Sequence, residues 1–294
     1  MIQLLLLPAA LLIALIFGIP LLRYLWLSFH ADSVITSLVA IPNNGANWFR
    51  LFNDQRFWQD TYQTARFAFV SVSLEIFLAL GIALLLDQRW RGRGVVRAIT
   101  LLPWALPTTV MALGWRWIFN TPNGPIEQFA KLIGLQHLYG LQDLNILANP
   151  SLTWLATVVG DVWKTTPFVA LILLAGLQTI PNDLYEAFDL EGGKPCAGLF
   201  KITLPLLQPY LLLGLLFRLA QAFGVFDLIQ VMTGGGPASS TESPALYAYL
   251  NAMRFLDFGY SATVMIASFL LLVFICLFGW LVIHQTKHFR EVVK

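Results

Sequence analysis

Charged residues are scarce in this sequence. Only 12% of its 294 residues are Asp, Glu, Lys or Arg, whereas soluble proteins carry about 25%. Hydrophobic residues make up 57% of the chain, and the mean hydropathy is +0.70. Residues 1–22 and 261–283 contain no charge at all. Uncharged apolar runs of about 18 or more residues are typical of membrane-spanning helices, so an ordinary soluble domain is excluded.

Cysteine and histidine are equally sparse. Cys196 and Cys276 are the two cysteines, and they suggest neither a disulfide framework nor a zinc site. A membrane-embedded enzyme would need clustered His, Asp or Ser at membrane depth, but the histidines lie scattered at span ends and in loops, at positions 30, 137, 284 and 288. The net charge of +2 shows no nucleic-acid footprint. No internal repeat is visible, although secondary transporters tend to contain one.

A phosphate-binding loop is also missing. Such a loop needs the pattern G-x-x-x-x-G-K-[ST]. The sequence GGKP at 192–195 contains Gly-Lys, but Phe188 stands at the position of the first glycine and Pro195 follows the lysine. No strand precedes it. We therefore expect the chain to bind neither ATP nor any other cofactor by itself.

The apolar pattern predicts an all-α integral membrane protein with one transmembrane domain over residues 1–294. Each span is long enough to cross about 30 Å of hydrocarbon. The first span lacks a basic leader and a cleavage site, so we expect it to be a retained helix rather than a signal peptide. The six predicted spans are 3–29, 66–86, 97–119, 152–178, 208–232 and 260–284.

Lysine and arginine in the loops predict the orientation, because cytoplasmic loops carry the excess of basic residues. Loops 87–97 and 179–207 and the tail after residue 284 hold nine of them: Arg89, Arg91, Arg93, Arg97, Lys194, Lys201, Lys287, Arg290 and Lys294. The opposite loops hold Arg50, Arg56, Lys131 and Arg254. We therefore expect both termini to be cytoplasmic.

The cytoplasmic loop 181–207 is unusually polar for this chain. Asp183 is expected to cap a short helix, with Glu186 three residues later in a capping-box arrangement. From these residues alone, the segment is either an ordinary solvated loop or two short helices with a hinge that dock into a partner protein. The residues expected to break or begin helices here are Gly192, Gly193, Pro195, Pro205 and Pro209.

The same loop resembles the EAA loop of ABC-importer permeases. The residues that carry the resemblance are Glu186, Ala187, Glu191, Gly192, Ile202 and Pro205. In that family the loop docks into a cleft of a cytoplasmic ATPase, which implies a coupling role for these six residues. Three positions depart from the family pattern: Phe188 and Gly193 stand where alanine is usual, and Glu191 replaces aspartate.

Three further segments, 163–187, 226–237 and 249–273, resemble the first of the two permeases in carbohydrate importers of the maltose and glycerol-phosphate group. The resemblance implies the type I importer permease fold in a bacterial cytoplasmic membrane. It also implies a second permease subunit, an ATPase dimer that holds ATP and Mg, and an extracytoplasmic solute-binding protein. The expected solute is a sugar, oligosaccharide or glycoside, and a non-sugar solute is the alternative.

Ionisable residues inside the predicted spans need partners or a wet cavity, because charge at membrane depth is costly. Asp161 and Lys164 are three residues apart and are expected to pair on one helix face. Arg218, Gln221 and Val225 form another stripe, and helical phase places Asp227 on the opposite side. The candidates are Arg23, Glu75, Arg116, Asp161, Lys164, Arg218 and Asp227.

These charges are either interhelical links or the lining of a path for a polar solute. The family resemblance aligns sugar-contacting positions with Thr165, Phe168, Arg218, Ala222 and Val225. The candidate substrate path is therefore Asp161, Lys164, Thr165, Phe168, Arg218, Gln221, Ala222, Val225 and Asp227. No metal ligands are expected.

Overall fold

Helices form nearly all of the regular structure in the computed structural model, which describes residues 2–33, 37–88, 90–120, 124–132 and 145–292. Arg89, Lys294, His137 and much of the loop 120–151 lie outside the described residues. The described helices are α1 Ile2–Ile13, α2 Ile19–Ser28, α3 Ala46–Phe52, α4 Gln55–Asp87, α5 Arg93–Ala105, α6 Thr108–Ile118, α7 Pro125–Leu132, α8 Pro150–Leu177, α9 Asp183–Leu190, α10 Pro195–Gly198, α11 Leu204–Phe223, α12 Asp227–Met232, α13 Pro244–Met253 and α14 Phe258–Val292.

Among the described residues, five helical stretches are long and apolar enough to cross a membrane, and the bent pair α5–α6 would add a sixth if it forms one span. The five stretches are Leu7–Ser28, Gln55–Asp87, Pro150–Leu177, Pro195–Phe223 and Phe258–Gly279. Large apolar side chains on the first stretch, such as Phe17 and Leu22, are more than half exposed. Such exposure suits a surface that faces lipid rather than water.

The chain divides into two compact units, and the first comprises Met1–Gln63 and Glu242–Lys294. Here α1 continues into α2 through a π-helical turn, Ala14–Gly18. Strands β1 His30–Ser33 and β2 Ser37–Pro42 pair antiparallel, with His30 opposite Pro42. The apolar core of this unit is built from α3, the start of α4, α13 and α14, and its buried members are Leu51, Phe57, Tyr247, Ala248, Tyr260, Val264 and Ala267.

The second unit, Thr64–Thr241, contains α5 to α12 and most of α4. Buried Val169 and Leu173 of α8 pack with Ala79 and Ala83 of α4 and with Leu207 of α11. Gly176 of α8 lies so close to α11 that an added Cβ would fall 2.7 Å from Leu207. The helices that flank the 181–207 loop are therefore tightly packed.

The predicted third span, 97–119, is not straight. It is broken between α5 and α6, whose axes differ by 89°. Leu106 at the break is extended, with φ −70° and ψ 138°. Because a residue that precedes proline is driven away from helical geometry, Pro107 explains the break.

The predicted fifth span, 208–232, has different bounds. The helix runs without interruption from Pro195 through a π-helical turn, Leu199–Thr203, to Phe223. Pro205 therefore does not end the second short helix of the loop, because it lies inside this continuous helix, directly after the π-helical turn. Pro209 lies inside α11 and does not end it either. At the other end α11 stops before Gly224, and α12 follows as a separate helix.

The first short helix of the loop, α9, begins at Asp183 as a helical residue and not as a cap. Asn182 is the N-cap residue, and no side chain caps the helix there. The prediction of a capping box is therefore wrong. Asp183 and Glu186 instead place two carboxylates in the first turn, where the helix dipole favours negative charge.

Candidate functional site

A polar cavity of about 390 Å³ lies among α5, α6, α8, α11 and α12. It is lined by seven of the nine predicted substrate-path residues: Asp161, Lys164, Thr165, Arg218, Gln221, Val225 and Asp227. Trp104, Thr108 and Met111 add an aromatic ring, a hydroxyl and a thioether from the broken third span. The cavity thus combines hydrogen-bonding groups with an aromatic surface, as sites for small polar ligands do.

Arg218 is the centre of a buried ion cluster in the cavity wall. Its Nη2 donates to Glu75 Oε1 at 2.9 Å and to Asp161 Oδ2 at 2.8 Å, and its Nε donates to Glu75 Oε2. The side chain is only 2% exposed. Because charge at membrane depth needs compensation, this cluster ties α4, α8 and α11 together at one level. We call Glu75, Asp161 and Arg218 the ion cluster.

Two neutral side chains complete the ion cluster's hydrogen bonds. Thr165 Oγ1 lies 2.7 Å from Glu75 Oε1, and Gln221 Oε1 accepts from Arg218 Nη1 at 2.9 Å. Arg218 and Gln221 of the predicted stripe do lie together on α11, but Val225, its third member, lies beyond the end of that helix. Glu75 was recognised as an intramembrane charge but was not among the predicted path residues. Its role depends on a partner 143 residues away, which no local pattern encodes.

The expected pair of Asp161 and Lys164 does not form. Asp161 is bound by Arg218, whose planar fork of donors suits a carboxylate better than a lysine does. Lys164 Nζ instead donates to the carbonyl oxygen of Leu106 at 2.5 Å. Lys164 therefore links α8 to the break in the third span, where helical hydrogen bonding is interrupted.

Helical phase predicts Asp227 on the side opposite Arg218, and this prediction is wrong. Both residues line the same cavity. The inference assumed one unbroken helix, but α11 ends at Phe223 and Asp227 is the first residue of α12. The helical phase is lost at Gly224, so the spacing of nine residues between Arg218 and Asp227 no longer determines where the Asp227 side chain points relative to Arg218.

Phe168 and Ala222 are the two predicted path residues that do not line the cavity. Phe168 stacks on Trp104, with ring centroids 5.3 Å apart, and so supports a ring that does line it. Ala222 is 1% exposed and belongs to an apolar cluster that includes Val72, Trp154 and Val158. Neither residue is therefore placed to contact a solute in this cavity.

The 181–207 loop presents two concave surfaces, one on each side of α9. Ala187, Glu191, Ile202 and Pro205 line an apolar groove of about 370 Å³. Glu186 lines a larger cavity of about 670 Å³ together with Asp87, Asp189 and Asn182. Five of the six predicted coupling residues thus border a surface that a partner could occupy, and the side chains of α9 divide into an apolar side and an acidic side.

Gly192, the sixth predicted coupling residue, forms the hinge between α9 and α10. Its φ is +80°, in the left-handed region that favours glycine. Gly193 serves a different purpose, because a Cβ there would lie 2.2 Å from Cδ1 of Phe188 and 2.6 Å from the Phe188 carbonyl oxygen. Two of the departures from the family pattern are therefore linked: the larger Phe188 occupies the space that an alanine at 193 would need.

A second polar cluster lies in the other unit, around Asp54. Tyr247 Oη donates to Asp54 Oδ2 at 2.7 Å, and the Tyr260 hydroxyl donates to the same oxygen. Burial pushes the pKa of Asp54 upward, but these hydrogen bonds outweigh it and hold the pKa below its ordinary value. Burial and the neighbouring carboxylate raise the pKa of Tyr247 to about 12. This cluster joins α13 and α14 to the segment before α4.

Comparison with known proteins places this geometry in context. Residues 75–289 match the family described as "Binding-protein-dependent transport system inner membrane component". The permease protein MalF of the trehalose/maltose transport system of Thermococcus litoralis is 40% identical over 269 residues, which cover 91% of this chain and 88% of that protein. The permease protein SmoG of the sulfoquinovosyl glycerol transport system of Agrobacterium fabrum is 36% identical over 268 residues, 91% and 85% of the two chains.

A solved structure has the same fold. A chain from the crystal structure of a bacterial ABC transporter involved in the import of the acidic polysaccharide alginate superposes with a TM-score of 0.77 at 19% identity. The match covers 98% of this chain and 95% of that one. Similarity at this level of identity shows the fold, and it confirms the predicted fold class of an ABC-importer permease.

Proposed function

Since this chain belongs to the family of inner membrane components of binding-protein-dependent transport systems, we propose that it is the permease subunit through which an ATP-driven importer moves a sugar, oligosaccharide or glycoside into the cytoplasm. The observation that carries the proposal is the similarity of about nine-tenths of the chain to permeases of sugar and glycoside transport systems. The chain is thus a multi-pass membrane subunit of a transporter.

The polar cavity supports the choice of solute class. A hydroxyl-rich ligand needs donors, acceptors and an aromatic surface in one place. Gln221, Thr108 and the charged ends of Lys164 and Asp227 supply the polar groups, and Trp104 supplies the ring. A volume of about 390 Å³ lies within the range of small-molecule sites. We propose that the solute crosses by this cavity during alternating access.

The remaining subunits follow from the same proposal. A second permease would complete the pathway, an extracytoplasmic solute-binding protein would deliver the solute, and an ATPase dimer would bind ATP and Mg. The chain contains no phosphate-binding loop, so hydrolysis falls to the ATPase. The exposed 181–207 loop, with its apolar groove and acidic cavity, is the surface that we assign to the ATPase. This arrangement puts the loop and both termini on the cytoplasmic side.

Deleting the gene for this chain from its host and measuring uptake of labelled trehalose, maltose and sulfoquinovosyl glycerol tests the proposal. We expect uptake of at least one of these probes to fall to background and to return when the wild-type gene is supplied. Purification of the tagged chain in detergent should also bring down an ATPase subunit. Unchanged uptake of all three probes would remove the sugar assignment, and the absence of any copurifying ATPase would remove the importer assignment.

A further inference from the structure

The two helices that flank the 181–207 loop are joined again at the cavity. α8 ends at Leu177, six residues before α9 begins, and the helix that contains α11 runs without interruption from Pro195 to Phe223. At about 1.5 Å per residue, the distance along this helix from Pro195 to Arg218 is about 35 Å. Arg218 therefore lies far from the loop, near the end of a continuous helix that begins within the loop.

Contacts between α8 and α11 occur at two levels, at Leu207 near the middle of the continuous helix and at Arg218 near its far end. Near the loop the contact is apolar, where Leu173 and Leu177 of α8 share a buried cluster with Leu207 of α11. At the cavity the contact is ionic, where Arg218 Nη2 lies 2.8 Å from Asp161 Oδ2. α8 and α11 are therefore connected three times: through the loop, through the apolar contact at Leu207 and through the ion pair at Arg218.

The guanidinium of Arg218 has little capacity left for a solute. It makes four hydrogen bonds, two to Glu75, one to Asp161 and one to Gln221. A guanidinium has five N–H donors, so one remains. With 2% of the side chain exposed and two carboxylates against it, its charge is already neutralised. These contacts favour a mechanical role over direct recognition of the solute.

We propose that Asp161 and Arg218 are positioning residues that make α8 and α11 move as one body, so that a displacement of the 181–207 loop reaches the cavity. The inference rests on the proposed function, because it assumes that an ATPase moves the loop. Glu75 has a different part. It secures Arg218 to α4 and meets α8 only through the neutral hydroxyl of Thr165, so among the described residues the ionic link between the two helices that leave the loop is Asp161–Arg218.

This difference gives a matched pair of variants. Asp161→Leu removes the ionic link between α8 and α11 and leaves Arg218 with Glu75. Glu75→Met removes the link to α4 and leaves Arg218 with Asp161. Each variant loses one carboxylate, and each retains one carboxylate to neutralise the guanidinium, so the net charge of the ion cluster is the same in both.

The test uses the complete complex and needs no solute. Cys196 and Cys276 are replaced by alanine, and Asp227→Cys introduces one exposed reporter in the cavity wall. Its rate of reaction with a maleimide is measured without nucleotide and with ATP plus vanadate. We expect the rate to differ by about tenfold between the two states in the otherwise wild-type complex and in Glu75→Met, and by less than about twofold in Asp161→Leu.

Equal nucleotide responses in Asp161→Leu and Glu75→Met would overturn the inference while leaving the proposed function intact. Loss of the response in both variants would also overturn it, because the whole cluster would then act as scaffold. If Asp161→Leu does not accumulate, Asp161→Asn replaces it, since it keeps the shape and loses only the charge. A wild-type complex that lacks an ATPase would instead refute the proposed function, and this inference would fall with it.

Discussion

The 181–207 loop and the ion cluster hold their shapes by opposite means. The loop is exposed and is shaped by neighbours in sequence: a left-handed Gly192, and Phe188 packed against Gly193 five residues later. The ion cluster is buried and is shaped by three side chains from three helices, with 143 residues between Glu75 and Arg218. The comparison teaches that the linked positions of the loop lie a few residues apart in sequence, whereas those of the ion cluster lie far apart and must change together to keep its charges balanced.

Arg218→Met should produce the largest loss of stability. Removing the guanidinium leaves the carboxylates of Glu75 and Asp161 buried without a counter-charge, which costs about 3–5 kcal/mol when one partner of a buried pair is lost. We expect little folded protein in the membrane. The measurement is the amount of monodisperse protein in detergent size-exclusion chromatography, together with its thermal midpoint.

The matched control neutralises the whole ion cluster. Arg218→Met combined with Glu75→Gln and Asp161→Asn leaves no buried charge, and we expect it to recover most of the folded protein. If the triple variant were as unstable as Arg218→Met alone, the loss would come from the missing side-chain volume. The ion cluster would then resemble the loop, where shape matters more than charge.

Gly193→Ala should have the next largest effect. The new Cβ would lie 2.2 Å from the ring of Phe188 and 2.6 Å from its carbonyl oxygen, and overpacking of this kind costs about 1–3 kcal/mol. Adding Phe188→Ala should recover part of the loss, because the ring contact disappears while the carbonyl contact stays. Chemical denaturation of the four variants of this cycle gives the coupling energy, and a coupling energy near zero would contradict the linkage between positions 188 and 193.

The same contrast explains what the sequence could and could not predict. The hinge at Gly192 and the start of α10 at Pro195 follow from short-range rules, and the structure has both. The break at Leu106 also has a local signal in Pro107, although the apolar run around it predicts one span. The ion pair between Glu75 and Arg218 has no such signal, because residue spacing identifies neighbours on one helix and not contacts between different helices.

Gly224 shows a second limit of prediction from the sequence, a local signal that the apolar pattern around it obscures. Gly224 ends α11, and glycine is a common helix terminator. Because its surroundings are apolar, the predicted span continued through it to residue 232. One unrecognised helix end was enough to reverse the inferred direction of Asp227. The apolar pattern therefore could not give the phase of a side chain beyond a break.

Gly192→Val should cost less than Gly193→Ala. No atom lies within 4 Å of a Cβ at this position, so the cost is only that of holding a β-branched residue at φ +80°, about 1–2 kcal/mol. Asparagine tolerates this region, so Gly192→Asn is the control and should be close to wild type. The readout is ATP hydrolysis by the complex with and without solute-loaded binding protein, and we expect stimulation to be lost only in the valine variant. Equal stimulation in the two variants would show that the backbone conformation at the hinge does not matter.

Glu186→Lys should have the smallest effect on stability and still impair docking. Glu186 is exposed and makes no ion pair among the described residues, so its replacement should change the free energy of unfolding by no more than about 0.5 kcal/mol. It does line the cavity that also holds Asp87 and Asp189, a surface suited to a basic partner. Reversing its charge should therefore reduce the amount of ATPase that copurifies with the chain and should leave the thermal midpoint unchanged.

Asp183→Lys makes the same change of charge in the first turn of the same helix, but Asp183 does not line the cavity. Equal loss of ATPase in the two variants would mean that the whole loop attracts its partner through net charge. A loss confined to Glu186→Lys would assign the docking contact to the acidic side of α9, where shape and charge act at one place.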